Sequence, residues 1–340
     1  MEKFILGKTG LEITRTGFGA LPIQRLDTDT AVKLIRQAVE GGITFFDTAR
    51  AYTDSEQKLG IALEGVRENV VIATKTGAQT GEELWKHLEM SLSMLKTDYV
   101  DIYQFHNPGF VPKPGGADGL YDAALEARRK GMIRHIGITQ HSIERAFEVV
   151  ESGLYETLQY PFNHLATAKE VELVEKCREK GMGFIAMKAL SGGLVTQAEL
   201  PFAYIRKFPH VVPIWGIQRE SELRQILALS ENPPELDAQL QEKIDQDRRE
   251  LVGEFCRGCG YCMPCPVGIP INNANRMTQL LTRSPAEPYF SEEWQHNMEK
   301  IEQCIHCGVC ATRCPYELKP FETLPGHLAF YRKLLAERKG

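Results

Sequence analysis

The sequence predicts an α/β chain, a (β/α)8 TIM barrel followed by a small, mainly α-helical domain. Three observations carry this. Short β-branched or apolar runs alternate with helix-like segments as far as Asn232-Pro233-Pro234. Eight such runs occur, which suits a closed barrel better than its rival, an open doubly wound sheet. Finally, of nine cysteines only Cys177 stands apart, and the others fall between Cys256 and Cys314.

The elements follow in order. Phe4-Ile5-Leu6 and Leu11-Glu12-Ile13 flank the turn Gly7-Lys8-Thr9-Gly10 and read as an opening hairpin. The eight candidate strands are Thr16–Ala20, Thr44–Asp47, Val70–Thr74, Val100–Phe105, His135–Thr139, Thr157–Pro161, Gly183–Met187 and Val211–Gly216. Between them lie helix-like segments over Thr30–Glu40, Glu82–Leu95, Tyr121–Lys130, Ser142–Val150, Ala168–Lys180 and Ser221–Leu229. Glycines 41, 131 and 181 stop three of them. Leu236–Val252 is a charged connecting helix, and Ile271–Leu281 and Glu292–Glu302 are helix-like segments within the cysteine region. The expected domains are a barrel over 1–235, a connector over 236–254 and a cysteine domain over 255–340.

Net charge of −5 and a pI near 6.0 give no basic footprint for nucleic acid or an anionic membrane. No apolar run approaches the roughly 18 residues of a spanning helix. The opening MEKFILGKTG lacks the apolar core of a signal peptide, so a cytoplasmic location is expected.

In a barrel, function gathers where strands end at their C-terminal side. Strand two runs out in Phe46-Asp47-Thr48-Ala49-Arg50-Ala51-Tyr52, strand three in Thr74-Lys75 and strand four in Gln104-Phe105-His106. An acid, a phenol, an amine and an imidazole therefore leave successive strands at one rim. That set suits proton transfer to a carbonyl oxygen. A tyrosine titrates near 10, too high for efficient acid catalysis at neutral pH, so the Lys75 ammonium is expected to lower it. Asp47 would hold the lysine and His106 would orient the carbonyl. Taken singly, each residue reads equally as a helix cap, a solvated lysine, a loop aromatic or a rim histidine. Their joint order favours chemistry. The hydride must come from a cofactor, because no side chain donates one.

The segments FFDTARAY, IATK and DIYQFH resemble the aldo-keto reductases over about residues 3–230. The resemblance implies Tyr52 as general acid, Lys75 and Asp47 as its tuning pair and His106 as the orienting group. It also implies NADP(H) or NAD(H) at the barrel rim without a GxGxxG loop, and none is present. Thr139-Gln140 replace the family's Ser-Asn pair at the nicotinamide amide. Gln159 matches a strand-six glutamine. Met187 stands where many members stack a tyrosine, and Ile226 where an asparagine is usual. Gly216 and Arg219 resemble the start of the phosphate-binding helix. Arg219 reads either as a partner for a 2′-phosphate or as a surface cation.

The cysteines form two runs, Cys256-x2-Cys259-x2-Cys262-x2-Cys265-Pro266 and Cys304-x2-Cys307-x2-Cys310-x3-Cys314-Pro315. The second matches the C-x2-C-x2-C-x3-C-P run of bacterial two-cluster ferredoxins, and the first has one residue fewer before its last cysteine. In such runs the fourth cysteine ligates the other cluster. One [4Fe–4S] cluster is therefore expected on Cys256, Cys259, Cys262 and Cys314, and the other on Cys304, Cys307, Cys310 and Cys265. Two zinc sites, each held by four cysteines, are the alternative. Glycines 258, 260 and 308 permit close backbone approach, and Cys177 reads as a core residue. The tail resembles α-helical ferredoxin-like modules, and with the barrel it resembles the iron–sulfur-containing aldo-keto reductases.

Two functions follow. One is an oxidoreductase acting on a small carbonyl or alcohol substrate, with a one-electron partner such as a ferredoxin or flavoprotein. The other is an electron-transfer or docking protein whose barrel is a scaffold. A hydride carries two electrons and a cubane takes one, so direct coupling needs a converter such as a flavin, for which the sequence holds no signal.

Overall fold

The computed structural model describes residues 1–251, 255–283 and 286–339. Val252, where the connector helix is expected to end, and the expected boundary at 254 lie outside the described residues. The chain divides into two compact units, one of Met1–Ala189 with Glu199–Gln241 and one of Leu190–Ala198 with Glu242–Gly340. Leu190–Ala198, which the sequence assigns to the barrel, thus groups with the cysteine-bearing unit.

The first unit opens with strands β1 (Lys3–Ile5) and β2 (Glu12–Thr14), paired antiparallel. Eight parallel strands then close a barrel: β3 (Gly17–Gly19), β4 (Phe45–Asp47), β5 (Val71–Thr76), β6 (Val100–His106), β7 (Ile133–Thr139), β8 (Thr157–Pro161), β9 (Gly183–Met187) and β10 (Val211–Gly216). Each pairs with the next in sequence, and β10 returns to β3 through Trp215↔Phe18. The barrel replaces the open-sheet alternative.

Helices α1 (Thr28–Glu40), α2 (Ser55–Ala62), α3 (Gly81–Leu95), α4 (Leu120–Arg129), α5 (Ile143–Ser152), α6 (Ala168–Glu179), α7 (Glu199–Ile205) and α8 (Glu220–Glu231) flank it. The expected ones formed for ordinary reasons. In α1, Asp27 caps the start by accepting from Thr30 N, and Ala31, Leu34, Ile35 and Ala38 bury one stripe. A capping box of Thr167 and Glu170 starts α6. Pattern reading misses α2 because it buries six of its eight residues, Glu56 and Lys58 among them, and so shows no apolar stripe. Lys58 is held by the carbonyls of Ile23 and Leu26, at 3.1 and 2.6 Å.

Alternation along the strands fills the barrel interior. Phe45, Ala73, Ile102, Ile185, Val212 and Ile214 pack into one buried cluster with Leu6 and Ile13 of the hairpin. Two residues further on, the same inward face carries Asp47, Lys75 and Gln104. Two beyond Gln104 stands His106. An apolar floor thus lies beneath a polar layer at the C-terminal end.

In the second unit, α9 (Ala238–Leu251) begins within the barrel unit. It leads to α10 (Ile271–Ala274), α11 (Met277–Arg283), α12 (Glu292–Glu299), α13 (Val309–Thr312) and α14 (Pro320–Lys339). Its core gathers Leu194, Ile269, Ile271, Met277, Leu280, Met298, Ile301, Leu324, Leu328 and Tyr331. The expected helix Ile271–Leu281 is broken at Asn275-Arg276. There the Thr323 hydroxyl donates to Asn275 Oδ1, and Arg276 Nη2 donates to the Gly192 carbonyl at 3.1 Å. The expected Glu292–Glu302 segment ends as a 3-10 turn, Lys300–Gln303. No described helix is long and apolar enough to cross a membrane.

Candidate functional site

The parallel register sets Asp47 opposite Ala73 and Lys75 opposite Gln104. Lys75 Nζ donates to Asp47 Oδ1 and to the Thr48 carbonyl, each at 2.6 Å. Both side chains are at most 3% exposed. The other Asp47 oxygen accepts from Gln104 Nε2 at 3.2 Å, and that amide also reaches Gln159 Oε1 at 3.0 Å. Burial pushes the Asp47 carboxyl up and the Lys75 ammonium down, and each partner opposes the other's shift.

Tyr52 sits on the turn after β4. Its N–H donates to the Ala49 carbonyl at 3.0 Å, and its own carbonyl accepts from Ser55 N at 2.8 Å. Ser55 Oγ donates to the Ala20 carbonyl, so the Thr48 hydroxyl donates to Ser55. Glu56, buried in α2, accepts from Thr74 Oγ1 at 2.6 Å and pairs with Arg50. These contacts bring the tyrosine over the pair: Lys75 Nζ lies 5.2 Å from its ring centroid. The His106 ring meets it edge-on at 5.8 Å. Asp47, Tyr52, Lys75 and His106 thus converge.

One expectation is corrected. Burial, and then the Asp47 charge, push the Tyr52 phenol above its ordinary value rather than below it. Lys75 spends its ammonium on Asp47, and desolvation of the phenolate dominates. Burial, with the Lys75 charge second, holds His106 down to about 3, so its ring is neutral near pH 7.

The expected nicotinamide contacts also lie at this rim, at the ends of β7 to β10. Thr139 pairs across the sheet with His106 and with Gln159. Thr139 Oγ1 accepts from Asn107 N at 2.9 Å. Gln140 is buried, donating to the Pro108 carbonyl at 3.1 Å and accepting from Arg145 at 3.3 Å. Gln159 belongs to the Asp47 network, with Nε2 3.5 Å from Oδ1. Met187 is partly buried against the interior cluster. Gly216 is exposed and Arg219 largely so, ahead of α8. Ahead of α8, Glu222 accepts from the backbone N–H groups of Gln218 and Arg219, at 2.9 and 3.1 Å.

Gln104 is the residue that sequence reasoning passes over. It stands at the strand end without a reactive group, although the period-2 step between Ile102 and His106 passes through it. Gly137, opposite on β7, makes room: a Cβ there would lie 3.0 Å from Gln104 Cγ.

In the second unit Cys256 and Cys262 are buried, while Cys259 and Cys314 are partly exposed. Burial and the thiols of Cys256, Cys259 and Cys314 push Cys262 up to about 12, which marks these four as neighbours. Cys262, Cys265, Cys304, Cys307 and Cys310 line one recess. Glycines 258, 260 and 308 have φ of +63°, +86° and +73°, where a side chain would be strained. Among the described residues no three Cys, His, Asp or Glu side chains converge on a point suited to a single ion. The donors these loops supply are all cysteine sulfurs, the soft ligands that iron–sulfur clusters take. Cys177 is fully buried, as expected.

A parallel barrel with a buried Asp–Lys pair under a tyrosine and a histidine, joined to a thiol-rich helical unit, defines an oxidoreductase class. Residues 15–212 match the model of the aldo/keto reductase family, and the chain belongs to that family. Residues 255–319 match the model of a 4Fe-4S dicluster domain. Aldo-keto reductase YhdN of Bacillus subtilis is 32% identical over 219 residues, covering 58% of this chain and 64% of that protein. L-galactose dehydrogenase of Arabidopsis thaliana is 32% identical over 224 residues, 59% of this chain and 69% of that one. This chain thus spans about two thirds of the length of these relatives. An aldo/keto reductase from Klebsiella pneumoniae, solved with NADP and acetate, superposes with a TM-score of 0.63 at 20% identity, over 72% of this chain and 95% of that one.

Proposed function

We propose that the barrel interconverts a small carbonyl compound and its alcohol with NADP(H) or NAD(H), and that the C-terminal domain holds two [4Fe–4S] clusters serving a one-electron partner. The observation that carries the first part is the Lys75–Asp47 pair at 2.6 Å beneath the Tyr52 ring, with the His106 ring at its edge.

A bound nicotinamide supplies or accepts the hydride. The chain's residues manage the proton. Burial and Asp47 keep the Tyr52 Oη protonated until a carbonyl oxygen takes the proton. Lys75, 5.2 Å from the ring centroid, then favours the phenolate left behind. Neutral His106 donates a hydrogen bond to the same carbonyl oxygen and aligns it without adding charge. Gln104 and Gln159 hold Asp47 in place. Thr139, Gln159 and Met187 would lie against the nicotinamide and Gly216 and Arg219 against the phosphates, while Gln140, held by Pro108 and Arg145, would brace this wall rather than touch the ring.

The ligand sets are Cys256, Cys259, Cys262 and Cys314 for one cluster, and Cys304, Cys307, Cys310 and Cys265 for the other. Bound clusters store and pass single electrons. A hydride carries two, so the clusters serve a half-reaction separate from carbonyl reduction. Cysteines that ligate clusters rather than pair as disulfides suit a reducing compartment, which supports a cytoplasmic location.

The test is Tyr52→Phe in the anaerobically purified chain. Reduction of an aromatic aldehyde by NADPH or NADH should fall by about 10²-fold or more, with cofactor affinity kept. An unchanged rate refutes the acid. About eight iron atoms with matching sulfide per chain are expected. Stoichiometric zinc without sulfide refutes the cluster reading.

A further inference from the structure

We propose that Arg276 is a positioning residue that raises the reduction potential of the cluster held by Cys256, Cys259, Cys262 and Cys314. The inference rests on the ligand set proposed above.

Arg276 lies in the break between α10 and α11 and is 8% exposed. Its guanidinium lies against bare backbone of the Cys256–Cys259 loop. A Cβ built on Gly258 would stand 2.7 Å from its Nη1, 2.8 Å from Cζ and 3.1 Å from Nε. On Gly192 a Cβ would stand 2.8 Å from the same Nη1, and Nη2 donates to the Gly192 carbonyl at 3.1 Å. Two glycines from separate loops thus leave a slot for the guanidinium. Gly258 also donates its N–H to Cys256 Sγ at 3.4 Å, so one residue touches both the cation and a cluster ligand.

A buried cation is costly unless negative charge lies near it. Four thiolates around a cubane would add negative charge beside Arg276. Cluster potentials follow net charge, hydrogen bonds to sulfur and solvent exposure. Reduction adds one electron from an external donor and one negative charge at the cluster, with no bond made or broken. A guanidinium pressed on the ligand loop favours that more negative state. Arg257 provides the contrast. Its guanidinium is only partly buried and stacks 5.0 Å over Phe255 and 5.1 Å over Tyr316.

The experiment compares the wild-type chain with Arg276→Met, Arg276→Lys and Arg257→Met. Iron and sulfide are measured, then each cluster's potential by anaerobic dithionite titration followed by electron paramagnetic resonance. In Arg276→Met one cluster should shift toward the oxidised form by tenfold or more, about 59 mV for one electron. Arg276→Lys should recover at least half of that, and Arg257→Met should shift less. Loss of that cluster's iron from Arg276→Met but not from Arg276→Lys also supports a charge role. Unchanged potentials in an iron-replete Arg276→Met overturn the proposal, as does equal behaviour of the Met and Lys variants or an equal shift in Arg257→Met. A wild-type chain without cubane iron instead refutes the cluster reading itself.

Discussion

Replacing Lys75 by Met separates what the rim pair does for stability from what it does for chemistry. At 2.6 Å the pair attracts by ~6 kcal/mol at an effective dielectric of about 20. Desolvation of both groups cancels much of that, so the net worth of the intact pair is small. Removing one partner is another matter, because the Asp47 carboxylate then stays buried with only the amides of Gln104 and Gln159, at 3.2 and 3.5 Å. The expected loss is about 3–5 kcal/mol at neutral pH. Asp47→Asn/Lys75→Met should recover most of it, since an asparagine carries no charge to strand. The pH dependence follows. Burial already pushes Asp47 up, and without Lys75 its folded-state pKa rises further above the ~3.9 of an unfolded chain. The folded variant then binds the extra proton, so its penalty is full at high pH and fades as pH falls through that raised value. Hydrogen exchange of β4 and β5 amides in urea, at pH 7.5 and 5.5, reads the local stability. Aldehyde reduction should fall by about 10²–10⁴-fold in the single variant and stay low in the double variant, because the phenolate loses its cation in both. A double variant as unstable as Lys75→Met, or a penalty independent of pH, would refute this reasoning.

Two further outcomes test other parts of the molecule. Cys256→Ser and Cys314→Ser should lose the same paramagnetic species, and Cys304→Ser and Cys265→Ser the other. Loss of a common species from Cys314→Ser and Cys304→Ser would contradict the exchange of fourth ligands. Glu222→Gln frees the N–H groups of Gln218 and Arg219 from a carboxylate and releases Arg219 from its partner. Fluorescence titration should show tighter binding of NADPH, and a smaller gain for NADH. Equal or weaker binding of both would place the phosphates elsewhere.

Much of this was legible in the order of residues. Eight strands could be placed within a few residues because alternation and glycine stops are local signals. Asp47, Lys75 and His106 could be placed at the rim because a rim residue is one that ends a strand. Cysteine spacing pointed to the dicluster domain for the same reason: a ligand run is a local pattern. Other features were not local. Closure of the sheet depends on β10 meeting β3, nearly two hundred residues apart along the chain. Helix α2 hid its identity by burying polar side chains, and one of them, Glu56, braces the turn that carries Tyr52.

Sequence alone determined which reactive groups the chain owns, along which strand ends and loops they fall, and that its thiols come in two ferredoxin-spaced runs. Tertiary structure decided what those groups feel. It drew Gln104 and Gln159 to Asp47, turned Gln140 toward Pro108 and Arg145, and wedged Arg276 against the Cys256–Cys259 loop. It also reversed the expected direction of the Tyr52 shift. The physical reason is that spacing is a property of neighbours in the chain, whereas solvation and field at a buried atom sum over neighbours in space.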